Sequence, residues 1–299
     1  MVYLVLFKNK KLGDYKYYSL SIITFAYLFE FLLAVCQPVF IFPALGGYAK
    51  GLIRKTSSTV AFVCLALIML CVGYTVIGIF HVMLFRYKVI APEWIKKWVE
   101  VKWFYYGTIA YGYLGITVGA CFWLFFLRPN KKKLDAFISA NPEYADLATK
   151  EPTLIIFNAE EFLPSNVFFI DYFIIVALVV VTLTLIFHLE NRLYKQKSKM
   201  CAKTFKLQKM MNAYFKAELL SAHLFLLCPI TTGIIMMHTK NPNGATISHI
   251  ALMFGSLYSI FLCSSMIYFI KPYRLCLAKL FCIGIRSRVT NFQRSRFME

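Results

Sequence analysis

The stretch VAFVCLALIMLCVGYTVIGIFHVMLF, residues 60–85, contains no charged side chain. As an α-helix it extends roughly 39 Å, more than the ~30 Å hydrocarbon core of a bilayer. Apolar and polar residues do not alternate along it, which argues against a strand of a membrane barrel. Lipid offers no water to the backbone, so a segment of this kind must satisfy its hydrogen bonds internally, as a helix.

Five more runs are long and apolar in the same way, with at most one charged residue each: residues 18–42, 103–127, 167–189, 217–237 and 250–270. The opening MVYLVLF reads as the tail of a further span, only ~10 Å of helix. It lacks a basic leader region and a small-residue cleavage site, so a cleaved signal peptide is not expected. Composition agrees: of 299 residues 60% are apolar and 16% charged, with 17% aromatic. A soluble domain carries about 25% charged residues. Disorder and an ordinary soluble enzyme are therefore excluded, and the expected class is an all-α membrane bundle.

Lys and Arg number 33 against 14 acids, a formal charge of +19. In a soluble protein this excess would suggest nucleic acid. Here the bases sort by loop instead, so the expected partner is the lipid bilayer and no nucleic acid. Residues 1–17, 86–102, 190–209 and 271–299 hold 23 of them, whereas residues 43–59, 128–166 and 238–249 hold 9. The bias places the first set, and the C-terminus, in the cytoplasm of a multi-pass protein. The cluster Arg128, Lys131, Lys132, Lys133 runs against it, partly offset by acids from Asp135 to Glu161 in the same loop. That loop is long for a connection and contains four prolines, so it is expected to carry short structure rather than a second domain. The domain reading is one bundle over residues 1–274, followed by a cytoplasmic amphipathic helix and basic tail over 275–299.

The nine cysteines form no CxxC pair and no zinc-like cluster, and most read as small buried apolar residues. No cofactor or metal site is expected. Neither HExxH nor GxSxG occurs, and no paired carboxylates lie within the runs, so an enzyme is not expected.

Three stretches carry a resemblance. YLVLFKNKKLGDYKYYSL (residues 3–20) looks like the end of the first span and the first inner loop of nematode serpentine chemoreceptors of class I. QPVFIFPALGGYAKGL (residues 37–52) is similar to that class's Gln-Pro, Phe-Pro and Gly-Tyr pattern at the outer end of the second span. IKPYR (residues 270–274) matches a terminus shared with the neighbouring class H, the nearest alternative. The resemblance implies a seven-helix G-protein-coupled receptor at the plasma membrane, with the sensory cilium as a further expectation. It implies a small external ligand and coupling to a heterotrimeric G protein for sensory signal transduction. Two departures stand out. The first helix is truncated to about two turns, leaving six complete spans. The second outer loop has no cysteine, so the disulfide that usually ties it to the third helix in rhodopsin-like receptors cannot form. The competing reading is a multispan transporter or channel.

Candidate residues follow. Arg86 and Tyr87 resemble a degraded Asp-Arg-Tyr motif for G-protein coupling; the alternative is an arginine snorkelling at the interface. Pro229, within LLCPITTG, removes a helical hydrogen bond and is a candidate hinge or a static kink. Thr231 and Thr232 are expected to help satisfy the freed carbonyls. Glu30 is the acid deep inside a run, read as paired with a histidine, bound to a cation, or protonated and simply hydrogen-bonded. His81 and His223 are the other buried titratable candidates expected, and Asp171 and His249 lie at outer ends. Lys271, Pro272, Tyr273 and Arg274 form the membrane-end motif, with Lys and Arg at lipid phosphates and proline stopping the helix. Beyond it, residues 275–286 read as an amphipathic helix, with Cys276 and Cys282 as palmitoylation candidates. The tail bases Arg286, Arg288, Arg294 and Arg296 are expected to meet anionic lipid. Gly112, Gly115 and Gly119 give residues 103–127 a small-residue face, expected to pack within the bundle.

Overall fold

The computed structural model describes residues 15–41, 46–90, 97, 101–126, 128–156, 162–239, 243–270 and 273–278. The opening apolar run, Pro272, Cys282 and the tail bases lie outside them. Ten helices and a small sheet follow in chain order among the described residues: α1 (Tyr15–Cys36), β1 (Pro38–Ile41), β2 (Gly46–Ala49), α2 (Ser58–Ile90), α3 (Lys102–Phe126), α4 (Lys131–Ala140), α5 (Ala145–Lys150), β3 (Ile155–Ile156), α6 (Phe162–Lys195), α7 (Ala202–Ala222), α8 (Cys228–Thr239), α9 (Gly244–Gly255) and α10 (Tyr258–Phe269). A π-helical turn, His223–Leu227, joins α7 to α8 as one rod.

Among the described residues each of the six complete apolar runs is mostly helical. Four stretches among the described residues are long and apolar enough to cross a bilayer: Tyr17–Cys36, Ser58–Arg86, Thr204–Gly233 and Gly244–Phe269. The runs at 103–127 and 167–189 fall on α3 and α6, helices of 25 and 34 residues. The architecture is thus the all-α receptor-like bundle expected. Helix α2 is central, packed against α1, α3 and α6, while α10 closes on α1 and α7. Its core includes Ile22, Ile23, Phe62, Phe215, Leu262 and Met266, all almost fully buried. An aromatic chain stitches three helices: Phe25 to Tyr74 at 4.8 Å, Tyr74 to Tyr113 at 5.0 Å, and Tyr113 to His81 at 5.6 Å between ring centroids.

Four sequence expectations are corrected. Run 18–42 is not one helix: α1 stops at Cys36, and residues 38–41 become a strand. The residue before a proline is driven out of the helical region. Gln37 takes φ 45°, a left-handed cap, and turns the chain into the hairpin. The 190–209 loop shrinks to residues 196–201, because α6 runs to Lys195 and α7 starts at Ala202. Run 250–270 is broken at Ser256–Leu257. In α3 only Gly112 meets the bundle, where a Cβ would lie 3.2 Å from Ile77; at Gly115 and Gly119 it would meet nothing within 4 Å.

Candidate functional site

At one end the three strands form an antiparallel sheet in the order β1-β2-β3, with Val39 opposite Tyr48 and Gly47 opposite Ile155. Strand β3 belongs to the long 128–166 segment, which does carry short structure. No disulfide holds it. Instead the Ala49 N–H donates to Thr153 Oγ1 at 3.1 Å, and Thr153 is fully buried. Arg54 donates through Nε and Nη2 to the two Glu151 oxygens, at 3.0 and 2.6 Å. This bidentate geometry holds the Arg54 guanidinium above its ordinary pKa range. Gly46 lets the strands close: a Cβ there would sit 2.7 Å from the Ile155 carbonyl oxygen.

Beneath this sheet lies a cavity of about 190 Å³. Val39, Tyr48 and Ile155 roof it, while Phe29 and Leu33 of α1 and Ile68 and Val72 of α2 wall it. Phe225, Leu226, Pro229 and Gly233 supply its side toward the α7–α8 rod, and Gly255 ends α9 beside them. No charged residue lines it among the described residues.

The rod is interrupted where it meets the cavity. Pro229 has no N–H, so the Phe225 carbonyl loses its helical donor, and the turn before it widens into the π-helix. The threonines do not serve that carbonyl, correcting the expectation. Thr231 and Thr232 donate to Leu227 O and Cys228 O, each at 2.8 Å, one turn back along their own helix. Gly255 faces the gap instead: a Cβ there would lie 3.1 Å from Phe225 O and 3.5 Å from Pro229 Cγ.

Toward the opposite end the same rod carries a buried polar cluster. Arg86 of α2 is 4% exposed and donates through Nη1 to Asn212 Oδ1 at 3.3 Å. Its guanidinium lies 5.6 Å from the Phe215 ring centroid, a cation–π distance. Glu218 is 1% exposed, and both Arg86 and Tyr214 act on its carboxylate. Tyr258 and Ser221 are buried as well. Arg86 is thus an interior residue bridging α2 and α7, which corrects the snorkelling alternative. Tyr87 follows it on α2.

A family model described as serpentine type 7TM GPCR chemoreceptor Sri matches residues 1–277. The chain belongs to this family. No curated protein matches it. The chemoreceptor is therefore a multi-pass membrane protein of the G-protein-coupled receptor type, and its family is a receptor family rather than an enzyme family.

Other sequence candidates in the chemoreceptor fall in separate places. Glu30 accepts the Ser259 N–H at 2.8 Å, so its carboxylate caps the start of α10 just past the break at Ser256–Leu257. Among the described residues no His, Cys, Asp and Glu group is placed to hold a metal ion. His81 is buried and hydrogen-bonded to the backbone at Thr108. His223 and His249 are exposed. Tyr273 of the membrane-end motif is 1% exposed and belongs to the core, whereas Arg274 is exposed and donates to Tyr268 O at 3.3 Å. Lys271 lies outside the described residues. Residues 273–278 are helical, with Cys276 half-buried. Most cysteines are not deeply buried: Cys36 and Cys71 are, whereas Cys121, Cys201 and Cys228 are exposed.

Glu218 escaped the sequence reading because it stands at the edge of run 217–237. The signal was present in the spacing. Tyr214, Phe215, Glu218, Ala222 and Phe225 recur at three to four residues and all are buried, so Glu218 shares the inward face.

Proposed function

We propose that the chain is a chemosensory receptor whose cavity beneath the sheet takes a small external molecule and whose opposite end signals to a heterotrimeric G protein. One observation carries this reading. The α7–α8 rod lines the cavity through Phe225, Leu226 and Pro229, and it holds Arg86 through Asn212 and Phe215. An occupant bears on the interrupted part of the rod. A change in the kink there alters how Asn212, Tyr214 and Glu218 sit against α2. A ligand favours the arrangement it fits better, and only by its difference in affinity between the two.

The charge bias puts the sheet outside and the Arg86 end in the cytoplasm. In this orientation Arg86 serves G-protein coupling from the interior by holding α7, with Tyr87 next to it in sequence, and the bases of residues 190–209 supply the contacting surface. Pro229 serves as the hinge. Glu30 fixes the start of α10 so that motion concentrates in α7. Lys271, Pro272 and Arg274 anchor the cytoplasmic end, and residues 275–299 lie along the inner leaflet, with Cys276 and Cys282 as acylation sites.

The test is nucleotide exchange on a reconstituted heterotrimeric G protein. The full chain in lipid nanodiscs should accelerate exchange on addition of an active odorant from a broad panel, and Arg86→Ala should remove the response while leaving odorant binding in place. A panel that binds the receptor and never moves exchange in any G-protein subtype would end the coupling half of the reading.

A further inference from the structure

The shape and lining of the cavity narrow what fits it. Its volume is about 190 Å³. An apolar protein cavity of roughly 150 Å³ holds one benzene ring. Sites for drug-sized ligands start at about 300 Å³. The space therefore suits a molecule of about six to nine non-hydrogen atoms.

Among the described residues its lining has no acid, base or amide side chain, and Tyr48 supplies its only hydroxyl. Glu30, the nearest acid along α1 to the lining residues Phe29 and Leu33, is engaged with the Ser259 N–H and is not in the lining. The Ala49 amide and the Thr153 hydroxyl in the roof satisfy each other. A charged group entering here would leave water and find no counter-ion, a large desolvation cost with no return. A single ketone, ester or ether oxygen loses far less.

We infer that the ligand of this receptor is a compact uncharged apolar molecule, of the class of short-chain ketones, esters and small aromatics, and is neither an organic ion nor a peptide. The inference rests on the cavity being the ligand site. The volume of about 190 Å³ sets the limit on size, with Val39 and Ile155 of the sheet and Leu226 and Pro229 of the rod all in the lining.

The test uses direct binding to the purified full chain, read as the shift of its thermal unfolding midpoint. The probes are a straight-chain series of methyl ketones, with each ketone matched to the carboxylate and the ammonium ion of the same length. The shift should peak for ketones of about six to nine heavy atoms and fall beyond them. The ions should bind at least about tenfold more weakly. Gly233→Leu supplies the occlusion control, since Gly233 lines the cavity and a Cβ there meets nothing within 4 Å. It should remove the ketone shift while leaving the ligand-free midpoint in place, and Ile230→Phe gives a second way to fill the same wall. Equal binding of ketone and carboxylate would overturn the inference. So would a shift that keeps growing with chain length, the signature of a lipid acyl chain, or ketone binding untouched in both filled variants. Ketone binding with this profile but no nucleotide exchange would refute the signalling reading and leave this one standing. Exchange driven through the same cavity by an organic ion would do the reverse.

Discussion

At the sheet end, α2 and the α7–α8 rod face each other across a space lined by Ile68, Val72, Leu226 and Pro229. At the other end the same two helices meet through Arg86, Asn212, Phe215 and Glu218, all buried. Apolar walls around a small void tolerate filling, because contacts are gained and no polar group is stranded. Buried polar groups tolerate almost nothing, because each must keep its partner. One end is therefore suited to being occupied and the other to existing in a small number of discrete arrangements. That asymmetry, on shared helices, is what a ligand-operated switch requires.

The asymmetry breaks most readily at Arg86. Replacing it with Met strands the Glu218 carboxylate and the Asn212 amide, and thermal unfolding in detergent should register a loss of about 3–5 kcal/mol. The double substitution Arg86→Met with Glu218→Leu should recover most of it. If the single change is as benign as filling the cavity, the contrast between the two ends is wrong. Next comes Gly51→Ala. Its Cβ would fall 2.2 Å from the Val35 carbonyl oxygen, so the turn after β2 must shift, at about 1–3 kcal/mol and with weaker ketone binding. Glu30→Ala removes the cap on α10 and should cost about 1 kcal/mol. Glu30→Gln, which keeps an acceptor, should lose less in the same melting experiment.

Smaller effects sharpen the picture of the roof. Glu151→Gln weakens the pair with Arg54, which is half exposed, so little stability should change. Release of bound heptan-2-one should be faster than in the parent at low salt. The difference should fade at about 1 M salt, where charges are screened beyond roughly 3 Å. The mildest change is Gly115→Ala, which points into open space on α3. It should be neutral or stabilising by about 0.5 kcal/mol, confirming that this face takes no part in either end.

Much of this was legible in the chain, and the failures have identifiable causes. The apolar runs located the helices because a bilayer leaves the backbone no other solution. They misplaced the end of α1, where apolar Val39, Phe40 and Ile41 look the same to a hydropathy count whether helical or extended; the Gln37-Pro38 pair held the correction. The 37–52 block, the most specific part of the family resemblance, proved to be the hairpin that roofs the cavity. Arg86 and Pro229 stood out in the sequence, yet their neighbours in the fold were not legible. The threonines after Pro229 bond their own turn rather than the gap, and it is Gly255, 26 residues further along the chain, whose lack of a side chain lets α9 come close to it.

By itself the sequence determined the solvent, the helices and the family, since these follow from composition, run length and local pattern. The tertiary structure alone decided that Glu218 and Arg86 meet in the interior and that Glu30 caps a broken helix 229 residues away. It also decided that α1, α2, the π-helical turn, α8 and α9 leave a void beneath β1 and β2. Helical periodicity fixes which face of each segment turns inward. The spacing between helices depends instead on interruptions such as Pro229 and Ser256, and on which side chains meet across the bundle. Only the folded arrangement sets those contacts.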